Sequence, residues 1–258
     1  MIEPPEPVVL VARERAHVAW WRGVEETWLE PTVASLGVRM LEAGWEPDAP
    51  GAYCNRCGVS VGAHEQGEFG CASCKDVRWP WDRFVRLGEY DGALRTWIHE
   101  IKFRRWRAIG VRLGRMLGES LRLAGCPDDA VVVPVAMHRL KRVWRGIDHS
   151  RVIGEGVCEA TGMSLARVLR ARRHRSQRLV SSSERARNVS GVYRLAGRLR
   201  EASTVVLVDD VRTTGATLAS CARVIREGRA GPGEGPSVWA CTLGVAPEPG
   251  RLAREGAS

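Results

Sequence analysis

Residues 203–225 read STVVLVDDVRTTGATLASCARVI, and this stretch decides the reading of the whole chain. The run TVVLV (204–208) is continuously apolar and β-branched, as a strand buried on both faces requires. It ends in two adjacent carboxylates, Asp209 and Asp210, which a core strand gains nothing from. TTG follows at 213–215, and then a helical pattern. A helix that starts there turns its unpaired N–H groups and the positive end of its dipole toward the end of the strand. A phosphate fits such a place, with the hydroxyls of Thr213, Thr214 and Thr217 as further donors and Gly215 allowing close backbone approach. The acid pair beside it accepts hydrogen bonds, and vicinal hydroxyls donate them. The complementary ligand is a ribose that carries a 5-phosphate. Two other readings are an ordinary strand–turn–helix with a capping threonine, and an acidic metal pocket of the receiver or phosphatase kind.

Working outward, AVVVPV (130–135) and SVWACTLGVA (237–246) are further buried-strand candidates, and RFVRLGEY (83–90) alternates like a strand. Between these lie helical stretches of crossover length. DGALRTWIHEIKF places Leu94, Ile98 and Ile101 on one face behind Asp91 as N-cap, and the next helix carries Ile109, Leu113, Met116 and Leu117. Strands alternating with helices predict an α/β fold, a doubly wound parallel sheet that binds ligands at the carboxyl ends of its strands.

Eight cysteines fall into two groups. Cys126, Cys158, Cys221 and Cys241 are scattered singly, like small core residues. The others form Cys54-x-x-Cys57, thirteen residues, then Cys71-x-x-Cys74, with Gly58 and Gly70 beside the tight turns. Two such knuckles converge four thiolates on one tetrahedral zinc, a closed structural shell with no open position for water. A pair of disulfides is the other reading, but it needs an oxidising compartment. His64, between the knuckles, is expected to be solvent-exposed.

No apolar run approaches the roughly 20 residues that span a bilayer, and the start MIEPPEPVVLVARER lacks the positive charge of a secretory signal, so a cytoplasmic protein is expected. HVAWWRGVEETWLEP (17–31) reads as a helix with a Trp20, Val24, Trp28 docking stripe, and AGWEPDAPGAY (43–53) as a linker. The expected divisions are a helical segment with its linker at 1–48, a four-cysteine zinc ribbon at 49–78 and the α/β domain at 79–258. Charge concentrates in the middle. Residues 101–200 hold 23 Lys and Arg against 7 Asp and Glu, a net of +16 within a chain of net +9. Arginine supplies 36 of the 39 basic residues, and a phosphorylated metabolite and nucleic acid are both suitable partners.

VVLVDDVRTTGAT resembles the 5-phosphoribosyl-1-pyrophosphate (PRPP) motif of type I phosphoribosyltransferases. A four-cysteine segment ahead of it, with EYDGALRTWIHEIKF, VVPVAMHRLKRVWRGIDHS and RRHRSQRLVSSSERARNVSGVY between, resembles the competence-associated ComF family over residues 50–246. The resemblance implies a type I phosphoribosyltransferase-like sheet, preceded by a helical segment and a small zinc ribbon. It implies that Asp209, Asp210, Val211, Arg212, Thr213, Thr214, Gly215, Ala216 and Thr217 bind the ribose and 5-phosphate of Mg²⁺-PRPP, with Asp209 and Asp210 catalytic. The basic turn after VVVPV, with His138, Arg139 and Arg145, would face pyrophosphate, and Gln177, Arg185 and Asn188 would belong to a closing hood. The sequence departs from the family at Ala136, at Ile147-Asp148-His149 and at His174, where proline, Phe-Asn-Gln and threonine are usual. Three functions follow. One is phosphoribosyl transfer to a nitrogenous acceptor. Another is a PRPP- or nucleotide-binding accessory protein of DNA uptake, with a competence helicase as a candidate partner. The third is a module that grips single-stranded DNA.

Overall fold

The computed structural model describes residues 35–62, 64–67, 69–104, 106–137, 146–171, 192–197, 199, 202–228 and 235–247. The chain divides into two compact units, 1–45 and 46–258. In the first, α1 (Leu36–Glu42) is capped by Ser35, whose Oγ accepts from the Val38 N–H. The tryptophan stripe expected at 20–28 lies outside the described residues.

The second unit is built on a five-stranded sheet: β1 (Arg83–Glu89), β2 (Val131–Pro134), β3 (Ser164–Leu165), β6 (Thr204–Arg212) and β7 (Ser237–Val245). The spatial order is β1-β7-β6-β2-β3, and every pair is parallel. Parallel neighbours need crossovers, which α2 (Gly92–His99), α3 (Arg107–Leu123), α4 (His149–Thr161) and α5 (Ala216–Glu227) supply. A short antiparallel pair, β4 (Leu169–Ala171) with β5 (Tyr193–Leu195), brackets the segment read as the hood. The connection from β2 through α4 runs to β3 on one side, and that from β6 through α5 runs to β7 on the other. The order therefore reverses between β2 and β6, and the crevice at their carboxyl ends is the natural ligand position. Asp209 lies one residue beyond the last β2–β6 pair, Pro134 with Val208.

Alternate side chains serve opposite layers. Val131, Val133, Val205, Leu207, Val238 and Ala240 join Leu218, Cys221, Ala222 and Ile225 of α5 in one core. Val132 and Pro134 face α4 at Gly154. The expected N-cap position of α2 is Asp91, but its side chain makes no capping hydrogen bond. The alternation in β1 also differs from the usual half-exposed strand, since residues 84–88 are all buried. Its polar face is covered by residues 46–60: the Arg86 guanidinium pairs with Asp48 at 2.6 Å, lies over the Tyr53 ring and donates to Ser60 Oγ. Among the described residues no helix is long and apolar enough to cross a membrane.

Helices α3 and α4 cross with their backbones in contact, through glycines of the run IGVRLGRMLG. A Cβ on Gly114 would fall on the carbonyl oxygen of Ile153, and one on Gly156 on that of Val111. Backbone cannot give way as a side chain can. Gly114→Ala is expected to cost about 1–3 kcal/mol of stability. The neighbouring Arg115→Ala, which breaks an exposed ion pair to Glu159, is expected to cost under about 1 kcal/mol. Equilibrium urea unfolding of the two variants checks the ranking.

Candidate functional site

The four knuckle cysteines are buried, and their sulfurs all lie within 4.8 Å of one another. The Cys54–Cys74, Cys57–Cys71 and Cys71–Cys74 separations are 3.8, 3.5 and 3.9 Å. Thiolates about 2.3 Å from one ion in a tetrahedron stand about 3.8 Å apart, whereas disulfide sulfurs stand about 2.05 Å apart. Gly58 and Gly70 take positive φ values of 78° and 102°. The N–H groups of Arg56 and Cys71 point at Cys54 Sγ, at 3.4 and 3.3 Å. Hydrogen bonding with Cys57 lowers Cys54 to about 4, hydrogen bonding with Cys54 and burial push Cys57 up, and burial raises Cys74 to about 11. A cation removes that conflict by stabilising all the thiolates together. The residues therefore fit one tetrahedral metal ion. His64 is exposed, as expected.

This cluster reaches the strand–turn–helix through tryptophan. Trp81 donates its indole N–H to the Arg56 carbonyl, inside the first knuckle, at 2.7 Å. It stacks on Trp79 with ring centroids 4.7 Å apart. The Arg212 guanidinium lies 5.0 Å from the Trp79 ring and is only 7% exposed. At Gly215, with φ 76°, an added Cβ would come within 2.9 Å of Trp79 and 3.2 Å of Trp81. The expected role of Gly215 was close approach to a phosphate. Here its missing side chain makes room for indoles on the inner side of the turn.

The acid pair divides its work. Neighbouring residues of a strand point to opposite faces. Asp209 Oδ1 accepts from Ser150 Oγ at the start of α4 and from the Asp210 N–H, both at 2.9 Å. Asp210 instead pairs with Lys102 at 3.1 Å. Burial, then the Asp210 charge, raise the Asp209 carboxyl to about 7 against the opposing hydrogen bonds and Lys102. Val211 continues the ladder opposite Gly244, and Ala216 opens α5. Thr213, Thr214 and Thr217 are exposed at the turn. Gly215 occupies the N-cap and offers α5 no side-chain acceptor, although Thr214 Oγ1 lies 3.4 Å from the Ala216 N–H. A 12-residue helix thus begins at the sheet's carboxyl edge with hydroxyls around it and no carboxylate cap.

Of the residues expected to bind ribose phosphate, Asp209, Asp210, Thr213, Thr214 and Thr217 come together at this edge. The Arg212 guanidinium lies against Trp79 and Phe84, with its Nε 3.4 Å from where a Cβ on Gly215 would stand. His138, Arg139, Arg145, Gln177, Arg185 and Asn188 lie outside the described residues. His149 is fully buried, which takes it out of a ligand's reach. Sequence reading missed Lys102, Ser150, Trp79 and Trp81. Only Lys102 carried a signal, as a lysine in an arginine-rich chain.

No protein-family model matches the sequence. Direct comparison does find relatives. The DNA utilization protein YhgH of Salmonella typhi is 30% identical over 182 residues, which cover 67% of this chain and 78% of that protein. Competence protein F of Haemophilus influenzae is 26% identical over 183 residues, 68% of this chain and 79% of that protein. The chain belongs to the ComF family. A solved structure described as that of the allosteric regulatory enzyme of purine biosynthesis overlaps 52% of this chain and 25% of its own, at 21% identity and a TM-score of 0.33. That overlap is too slight to carry a statement about this ComF protein.

Elemental analysis of protein purified without added metal is expected to give one zinc per chain. Cys71→Ser should lose it and lower the melting temperature, since ligand binding energy is folding energy in so small a lobe. Four metal-free, reducible cysteines would contradict this. Asp209 gives a second expectation. Its folded pKa stands above its unfolded one of about 4, so between roughly pH 4 and 7 the folded protein binds more protons and stability falls as pH rises. Asp209→Asn should therefore stabilise the ligand-free protein at pH 8 and much less at pH 5, as read by thermal melts at the two values.

Proposed function

We propose that this ComF protein binds Mg²⁺-PRPP at the carboxyl edge of β6 and transfers phosphoribosyl to a nitrogenous acceptor, with the four-cysteine lobe holding a structural zinc. The observation that supports the reading is the juxtaposition, at one sheet edge, of two adjacent acceptor carboxylates with a hydroxyl-rich helix start that has no side-chain cap. The 5-phosphate would sit at Thr213, Thr214 and Thr217, among the first-turn N–H groups of α5. Asp209 and Asp210 would accept from the ribose hydroxyls. The reaction breaks the bond from C1 to a diphosphate oxygen and forms one from C1 to the acceptor nitrogen, which gives up a proton. Positive charge grows on the ring meanwhile, and the carboxylates beside it favour that charge in a site shielded from water. Mg²⁺ held with the diphosphate would offset the charge that accumulates there as it leaves.

A second reading, an accessory protein of DNA uptake with little or no transferase activity, is supported by the relatives' names, DNA utilization and competence. The +16 segment would suit contact with single-stranded DNA. Both readings share the PRPP pocket and differ in turnover.

Mg²⁺-PRPP should raise the melting temperature by mass action, and ribose 5-phosphate should do so more weakly. In Asp209→Asn with Asp210→Asn the shift should vanish while zinc content is retained. Wild-type protein with neither a thermal shift nor a calorimetric signal would sink the proposal. Once binding is seen, release of diphosphate with purines, pyrimidines or ammonia separates the enzyme from the accessory protein.

A further inference from the structure

Lys102 stands where no fold requirement puts it. It lies on a π turn (Glu100–Arg104) that extends α2 toward the carboxyl edge of the sheet. Such turns are rare and recur at functional sites. The preceding Ile101 is buried, while the Lys102 ammonium reaches Asp210 at 3.1 Å and sits 5.7 Å from the Tyr90 ring. Its side chain is 14% exposed and that of Asp210 16%, so both charges have lost most of their water without being sealed off from solvent. A pair buried this way is poor value for stability, because desolvation cancels much of the attraction.

The residue type is informative too. The chain contains 36 arginines and three lysines, Lys75, Lys102 and Lys141. A fixed partner for a carboxylate would be an arginine, whose planar fork pairs with it bidentately, and the composition of this chain favours arginine heavily. Lysine offers something else: a compact ammonium on a four-carbon stem, with donors that swing between acceptors while the backbone stays still. Two carboxylates beside a polyanionic ligand also need a nearby cation. Among the described residues Lys102 is the cation seen paired with the acid pair, while the Arg212 guanidinium lies against Trp79.

We propose that Lys102 is a ligand-binding residue: it pairs with Asp210 in the free protein and turns to the diphosphate of PRPP when the ligand is bound. The inference rests on the PRPP reading above. It concerns the diphosphate and not the 5-phosphate, because the turn at 213–217 has its own donors and Lys102 stands by the acid pair.

Calorimetry with Mg²⁺-PRPP and with ribose 5-phosphate on wild type, Lys102→Met and Lys102→Arg tests it. One charged hydrogen bond corresponds to a loss of roughly 10- to 100-fold. Lys102→Met should lose that much affinity for Mg²⁺-PRPP and keep ribose 5-phosphate within about threefold, and Lys102→Arg should recover part of the loss. An equal loss for both ligands would show that Lys102 acts only by holding Asp210, and no loss would show that it does nothing. Either result overturns the inference. The wild type supplies an independent measurement should Lys102→Met fold poorly. Reductive methylation followed by mass spectrometry should show Lys102 protected by Mg²⁺-PRPP but not by ribose 5-phosphate, with exposed Lys75 as the internal reference, and equal labelling in the two would be decisive against it. If wild type binds no PRPP at all, the site reading itself falls, and this inference with it.

Discussion

An open parallel sheet needs both of its faces covered, and among the described residues α5 is the helix that packs on the face of the Val205, Leu207 and Val238 side chains. α5 packs over β6 and β7, whereas Phe84 and Arg86 of β1 meet Gly58, Trp81, Asp48 and Ser60. The cysteine segment covers them. A Cβ on Gly58 would fall within the Phe84 ring, and Cys54, Cys57, Cys71 and Cys74 belong to the same buried cluster as Trp81, Phe84 and Val245. A segment this short cannot hold itself together by apolar burial. A metal ion held by the four thiolates would fix its shape, and the sheet is covered by that shape as by a wall. The lobe is therefore part of the core and not an appendage to it.

The candidate site departs from what stability alone would select, in the way functional sites do. An acid is held high by burial, beside a second acid. A lysine is desolvated to balance it. A helix begins on glycine instead of a capping carboxylate, although an aspartate there would satisfy its first N–H groups. Each feature is unfavourable in the free protein and would become favourable with the proposed ligand, which would bring hydroxyls to the carboxylates and phosphate to the N–H groups. The sheet, already fully buried, tolerates them.

Much of this was legible in the sequence, for a physical reason. The apolar runs of β2, β6 and β7, the C-x-x-C pairs and the D-D-x-x-T-T-G-x-T order are all local patterns. Each constrains neighbours along the chain, and so each survives in one dimension. What the sequence left hidden has one cause as well. β1 alternates Phe84, Arg86 against Val85, Leu87, which promised a wet face, but Asp48, Tyr53 and Ser60 bury that face from outside the strand. Arg212 sits inside the motif, yet its direction is set by Trp79, more than a hundred residues away. Ser150 and Lys102 reach the acid pair from two different crossovers. No period or spacing announces such contacts, because packing alone creates them.

The placing of Arg212 bears on how the site achieves its charge balance. A guanidinium free at the turn would attract any phosphate, including the backbone of a nucleic acid. Stacked under Trp79 and next to Phe84, the same guanidinium supports the inner side of the turn and contributes packing more than field. The outer side is left to threonine hydroxyls and helix N–H groups, short-range donors that respond to geometry. If the proposed ligand binds there, selectivity for a small phosphorylated sugar over bulk anion would follow from the arrangement of neutral donors around one helix start, with Lys102 paired to Asp210 to one side.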